Sequence, residues 1–190
     1  MSDFRFFSRR RALQATGGLL GAAALGGPGA AQTGGGTGTA DGSGSQQGGP
    51  SPKRIGMYTS GDGRNFYTVP FRWVEPGTTV IWQLVQGSHS TTAYASANDR
   101  PHRIPEEAPG WDSGVASEPG ATFERTFNVE GVYDYHCTPH ESIGMVGRLV
   151  VGAPDPENEP ALAEPPESLP ATAREALSGL NAVTRVMFGP

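Results

Sequence analysis

The chain has 190 residues and a formal net charge of −5. Because an acidic protein repels the phosphate backbone, this charge excludes nucleic-acid binding. All three Trp, all five Tyr, all four His and the single Cys lie within residues 53–151. This stretch of about 100 residues is therefore expected to form the one hydrophobic core.

The first 31 residues are predicted to be an export signal. Residues 8–13 (SRRRAL) form a twin-arginine pattern, and a run of Ala, Gly and Leu follows to about residue 26. This run is too short and weakly apolar for a membrane span, and small residues at 29–31 suit a signal peptidase. The alternative is a disordered basic arm. We expect export to the extracytoplasmic face of the membrane, since twin-arginine signals serve bacterial and archaeal export. Removing the segment takes away four Arg and one Asp and leaves a net charge of −8.

Two further segments have the composition of flexible chain. Residues 32–52 are rich in Gly, Ser and Thr and are interpreted as a linker. Residues 152–190 form a Pro-, Glu- and Ala-rich tail, with a weak helical period of apolar residues at 173, 177, 180, 183 and 186. The period predicts at most a short helix, and we expect the tail to be frayed and without a function.

The central stretch is predicted to be all-β. Seven or eight short strands are expected, at 54–58, 65–70, 72–74, 78–85, 88–94, 121–127, 132–137 and 145–151. In the fourth, alternation places Val80, Trp82 and Leu84 on one face. Residues 96–119 have no clear period and predict a long loop with one helical turn at most. This pattern favours an antiparallel β-sandwich over residues 53–151.

Cys137, His140 and Met145 carry the strongest chemical signal in the sequence. They place a thiolate, an imidazole and a thioether within nine residues, a set typical of a one-electron copper site. An exported protein usually has its cysteines in pairs, so a single one beside these residues indicates a metal ligand. Zinc is the competing metal, but its structural sites usually pair two or more Cys and do not favour a thioether.

A second histidine is needed to complete such a site, and three are available. His89 follows the buried strand 78–85, at an end of the sandwich that the loop after Cys137 can share. His102 lies among charged residues in the long loop, and strand alternation turns His136 away from Cys137, to the outside. We expect His89 to be the ligand and the other two histidines to have no metal role.

The residues EGVYDYHCTPHE at 130–141 and GMVG at 144–147 resemble the plastocyanin family, most closely its archaeal members, the halocyanins. Residues 73–80 resemble the strand–turn–strand that precedes the first histidine ligand in that family. The resemblance covers about residues 54–151 and implies a Greek-key cupredoxin sandwich with one type 1 copper ion. By matching positions, it implies His89, Cys137 and His140 as strong ligands and Met145 as the weak axial ligand.

The chain departs from the family pattern at two places. Ser90 follows the first histidine where an amide side chain is common, so its hydrogen bond near the metal is expected to differ. The 96–119 loop is longer than in compact plastocyanins, and no role is carried over onto it.

These features predict an electron carrier that is not an enzyme. We expect exported or membrane-bound redox proteins as partners, a monomer peripheral to the membrane, and an apolar docking patch around His140 framed by Gly87, Pro139, Ile143 and Gly144. A second possible function is that of a part of a copper-containing reductase or oxidase, which the His136-Cys137 pair suggests. The chain has too few histidines to bind the second copper ion that such enzymes need. A third class is copper storage or delivery, against which stands the lack of a Met-rich run.

Overall fold

The computed structural model describes residues 49–189. The predicted signal at 1–31 and nearly all of the predicted linker at 32–52 lie outside the described residues. Within 49–189, no helix combines the length and the apolar character that crossing a bilayer requires.

Within the described residues, eight strands form two four-stranded sheets. They are β1 (Lys53–Thr59), β2 (Asn65–Tyr67), β3 (Phe71–Val74), β4 (Thr78–Gln86), β5 (Thr92–Ala93), β6 (Thr122–Phe127), β7 (Gly131–His136) and β8 (Val146–Val151). The strand orders are β2-β1-β4-β6 and β3-β8-β7-β5. The predicted β-sandwich is confirmed. The expectation of purely antiparallel pairing is wrong, because β1 pairs with β4 and β3 with β8 in parallel.

The core lies between the sheets and is centred on β4. Val80, Trp82 and Leu84 are fully buried, as the alternation predicts. The Trp82 ring lies 5.4 Å from the ring of Tyr135 on β7, and 5.8 Å from that of Trp111 in the 96–119 loop. Such aromatic contacts add to the free energy of burial, so the long loop contributes to the core instead of lying wholly on the surface.

Strand β7 is buried on both faces. Tyr133 and Tyr135 point into the core, whereas Asp134 and His136 point the other way. The His136 ring lies 4.6 Å from the Tyr94 ring and is almost fully buried. The orientation away from the core is as expected, but the prediction that His136 reaches the outside is wrong, because further layers of chain cover this face.

The C-terminal segment supplies much of that cover. It contains a 3-10 turn at Pro160–Leu162 and the helix α1 (Ala171–Phe188). Ala161 and Leu162 pack on Val132 and Val150, while Ala173 and Leu177 pack with Val146. The expectation of a frayed tail is therefore wrong, since these contacts bury enough apolar surface to order the segment.

A buried ionic cluster joins this segment to the sheet. The Asp134 carboxylate accepts hydrogen bonds from Arg103 Nε at 2.9 Å and from Arg148 Nε at 2.7 Å, and all three side chains are at most 2% exposed. Arg148 also donates to Asn181 Oδ1 at 2.7 Å and to Thr184 Oγ1 at 2.9 Å on α1. The buried face of α1 therefore carries two polar residues, Asn181 and Thr184, that accept hydrogen bonds from the Arg148 guanidinium.

These polar contacts explain why the helical period is weak. The predicted apolar stripe included residues 183 and 186, but Val183 and Val186 are exposed. Asn181 and Thr184 take the buried positions, because Arg148 beneath them needs hydrogen-bond acceptors.

Candidate metal centre

The loop after β7 brings Cys137 and His140 to one end of the sandwich. Thr138–Ile143 forms a 3-10 turn. Pro139 lies at its start, and Gly144 caps its C-terminal end. Gly144 has a φ of 85°, a left-handed conformation that favours glycine. The Cys137 N–H donates to Met145 O at 3.0 Å, and the Met145 N–H donates to His140 O at 3.1 Å. These bonds hold the loop closed at its base.

His89 reaches the same end from the other sheet. It follows β4 and exchanges two backbone hydrogen bonds with Ala116, at 3.0 and 2.8 Å. Its side chain is fully buried. The segment that carries His89 is thus fixed by the end of the 96–119 loop.

Three donor atoms face one another across this end. Cys137 Sγ lies 3.6 Å from His89 Nδ1 and 3.4 Å from His140 Nδ1, and the two Nδ1 atoms are 3.2 Å apart. A point about 2 Å from all three atoms exists inside this triangle, which is close to the usual length of metal–imidazole bonds. A thiolate with two imidazoles is a donor set that suits copper. The geometry and the chemistry of the cluster therefore fit a bound copper ion.

The hydrogen bonds of His89 Nε2 determine that the other ring nitrogen, Nδ1, is the one free to bind a metal. His89 Nε2 lies 3.1 Å from Gln86 O and 3.0 Å from Thr59 Oγ1, whose hydroxyl donates to Asn65 Oδ1 at 2.7 Å. Gln86 O can only accept a hydrogen bond, and the Thr59 hydroxyl already donates its proton to Asn65. Both contacts therefore require a proton on Nε2. Nδ1 is then unprotonated and directed at the cluster, as a metal ligand must be.

Gly87 is required for this arrangement. Its φ is 98°, and a Cβ there would collide with Thr59 and lie 2.8 Å from His89 Nε2. Any other residue would therefore displace the imidazole.

Burial sets the protonation of the three groups. It is the main cause that lowers the pKa of His89 and of His140, so both rings are neutral near pH 7. Burial raises the pKa of the Cys137 thiol, although the Ser90 N–H, 3.4 Å from Sγ, acts in the opposite direction. Since a coordinated thiol loses its proton, metal binding would complete the donor set.

The remaining sulfur and histidines take different positions. Met145 is 2% exposed and directly precedes β8, with its backbone hydrogen-bonded to Cys137. Its axial role stays a prediction. His102 lies in the long loop, 3.8 Å from Glu106, and His136 is on the opposite face of β7. The structure thus places His89, and neither of the other two histidines, beside Cys137 and His140.

Comparison with known proteins supports copper as the metal of the centre. Residues 68–152 match the model of copper binding proteins of the plastocyanin/azurin family. Halocyanin of Natronomonas pharaonis is 38% identical over 80 residues, which cover 41% of this chain and 43% of that protein. A putative pseudoazurin of Rhizobium leguminosarum bv. viciae is 29% identical over 104 residues, covering 55% of this chain and 59% of that protein. The chain spans about half the length of these curated relatives.

Solved structures show the same fold. Native pseudoazurin from Hyphomicrobium denitrificans superposes with a TM-score of 0.56 at 21% identity, covering 70% of this chain and 97% of that one. Pseudoazurin from Methylobacterium extorquens gives 0.54 at 23% identity, with coverage of 70% and 98%. The family match over residues 68–152, the cupredoxin fold and the three-donor cluster together indicate a copper-binding domain that is similar to the plastocyanin/azurin family.

Proposed function

We propose that the protein is an exported type 1 blue copper protein that carries single electrons between redox partners. The observation that carries the proposal is the cluster of one thiol and two imidazoles, in which His89 and Cys137 are fully buried and His140 is partly exposed. The plastocyanins, pseudoazurins and halocyanins to which the domain is similar are electron carriers rather than enzymes. A buried cluster with one ligand at the surface suits electron exchange better than binding of a substrate.

Four residues hold the copper in this proposal. His89, Cys137 and His140 are the strong ligands and Met145 is the weak axial one. A bound copper ion would supply the Cu(II)/Cu(I) couple. The protein keeps the ligands in place through the His89 Nε2 contacts, the Ser90 N–H at the sulfur and the closed base of the 137–145 loop. Ligands that move little between oxidation states keep the reorganisation energy of electron transfer small.

The surface around His140 is the proposed docking patch. Pro139 is exposed and Ile143 is 56% exposed, while Gly87 and Gly144 are partly exposed beside them. An apolar surface of this kind suits the small, short-lived interfaces of redox proteins. The partners are proposed to be exported or membrane-bound redox proteins, met by a monomer at the extracytoplasmic face of the membrane.

The test is the visible spectrum and a reversible redox titration of the copper-loaded protein. We expect an intense blue colour from thiolate-to-copper charge transfer, which Cys137→Ala and His89→Ala remove because each loses a strong ligand. His102→Ala is the matched control and is expected to stay blue. Met145→Leu is expected to keep copper and colour while its reduction potential shifts.

Three outcomes would overturn the proposal. Recovery of zinc instead of copper from the purified protein would contradict the metal. Bleaching by His102→Ala but not by His89→Ala would contradict the ligand set. A colourless protein that binds only Cu(I) would support copper storage or delivery instead.

A further inference from the structure

Ser90 connects the two segments that carry the proposed ligands. Its N–H lies 3.4 Å from Cys137 Sγ, directed as a donor to the sulfur. Its hydroxyl oxygen accepts the N–H of Thr138 at 2.8 Å. One residue next to His89 thus contacts both Cys137 and the residue that follows it.

The hydroxyl of Ser90 belongs to a group of three. Ser90 Oγ lies 3.1 Å from Thr138 Oγ1 and 3.2 Å from Thr92 Oγ1, and the two threonine hydroxyls are 3.1 Å apart. Ser90 and Thr92 are almost fully buried. Buried hydroxyls of this kind are stable only when each finds a partner.

A carboxylate lies at the end of this group. Asp112 Oδ1 accepts a hydrogen bond from Thr92 Oγ1 at 2.9 Å and another from the Gly114 N–H at 2.9 Å. Asp112 belongs to the 96–119 loop, and its backbone forms an isolated bridge with Thr92. The long loop therefore reaches the hydroxyl group through one charged side chain.

The carboxylate fixes the direction of the hydrogen bond that joins it to Thr92. An ionised carboxylate only accepts, so the Thr92 hydroxyl must donate to Asp112 and can then only accept from Ser90 or Thr138. Ser90 Oγ in turn accepts the Thr138 N–H. Because Ser90 Oγ donates to Thr138 Oγ1, the hydroxyl donors run from Ser90 through Thr138 and Thr92 to Asp112, and this alignment strengthens each bond.

We propose that Thr92 and Asp112 are positioning residues of the copper centre, which orient Ser90 so that its N–H donates to the Cys137 sulfur. This inference rests on the proposed function and extends it to the 96–119 loop. A hydrogen bond to the sulfur withdraws charge from the thiolate and disfavours the oxidised metal, so loss of the bond lowers the reduction potential.

The main test compares Thr92→Val with Thr79→Val in the full chain. Both replace a hydroxyl that is hydrogen-bonded to another threonine, but Thr79 pairs with Thr126 at 2.8 Å on the outside of the other sheet. In copper-free protein, Thr92→Val is expected to speed hydrogen exchange of the Ser90 and Thr138 amides about tenfold, the loss of one net hydrogen bond. In copper-loaded protein, it is expected to lower the reduction potential. Thr79→Val should change neither quantity.

Two further variants separate positioning from general loss of structure. Thr92→Ser keeps the hydroxyl and is expected to restore both values. Asp112 is exposed, so Asp112→Ala is expected to fold and to speed the same two amides. Asp112→Asn retains an acceptor oxygen and is expected to preserve more of the protection than Asp112→Ala.

The inference is wrong if Thr92→Val and Asp112→Ala match Thr79→Val in both amide exchange and potential, even when the unmodified protein is blue. If the unmodified protein is not blue, the proposed function fails. Accelerated exchange in the copper-free variants would then still support the hydroxyl chain.

Discussion

The two faces of the β7–β8 pair are equally buried and chemically opposite. On the inner face Tyr133, Tyr135 and Leu149 pack in the core with Trp82. On the outer face Asp134 and Arg148 are fully buried and form a salt bridge. Alternation along a strand therefore tells which residues share a face, but it does not tell whether the polar face meets water or another layer of protein.

The outer face depends on partners from elsewhere in the chain. Two arginines share one carboxylate, which leaves one positive charge in excess in the cluster. The carbonyl of Ala161 accepts from both guanidinium groups, and that of Ala163 accepts from Arg103 at 3.1 Å. The C-terminal segment thus offsets part of the cost of burying the charges.

Removing the shared carboxylate should have the largest effect. Asp134→Ala is expected to lower the free energy of unfolding by about 3–5 kcal/mol, because it leaves two buried guanidinium groups without their counterion. Denaturant unfolding of the copper-free protein measures this loss. Glu124→Ala, on the exposed side of β6, is the control and should change stability by at most about 0.5 kcal/mol. Equal effects of the two variants would show that the outer face is solvated.

Removing one acceptor from α1 should have an intermediate effect. Asn181→Ala takes away the partner of Arg148 Nη2 and is expected to cost about 1.5–3 kcal/mol, the range for a hydrogen bond to a charged group. The same unfolding measurement applies. Asn158→Ala removes an exposed amide of the same segment and is expected to be almost neutral. If both substitutions are neutral, α1 does not support the ion cluster.

A hydrogen bond between neutral groups at the core should matter least. The Tyr67 hydroxyl donates to Ser90 O at 2.7 Å within the core. Tyr67→Phe is expected to lower the unfolding free energy by about 1 kcal/mol, less than either outer-face substitution. Tyr58→Phe on β1, where the ring is only partly buried, is the control. A loss larger than that of Asp134→Ala would reverse the comparison between the two faces.

The strands and the three-donor cluster could be predicted because their signals are local. Alternation marks Val80, Trp82 and Leu84, and the short spacing from Cys137 to His140 limits how far apart these side chains can lie. His89 required only one further step, that two strand ends share one end of a sandwich.

The remaining features could not be predicted because they depend on non-local partners. The parallel pairing of β1 with β4 joins segments whose patterns do not specify their neighbours. From the sequence alone, Asn181 and Thr184 would be assigned to the exposed face of a helix. Their burial is explained only by Arg148, which donates hydrogen bonds to both side chains in the fold. Ser90 and Thr92 are two residues apart, but the sequence does not show that their hydroxyls form one hydrogen-bonded group. Only the folded position of Asp112, which accepts from Thr92, makes this visible.

The Arg148 side chain has a consequence for protein engineering. Its guanidinium contacts β7, the 160–162 turn and α1 at once. A chimaera that joins residues 49–151 to the C-terminus of another blue copper protein would therefore lack matching acceptors. Such a graft should succeed only if it brings counterparts of Asn181 and Thr184, or if Arg103, Asp134 and Arg148 are together exchanged for apolar residues of similar size.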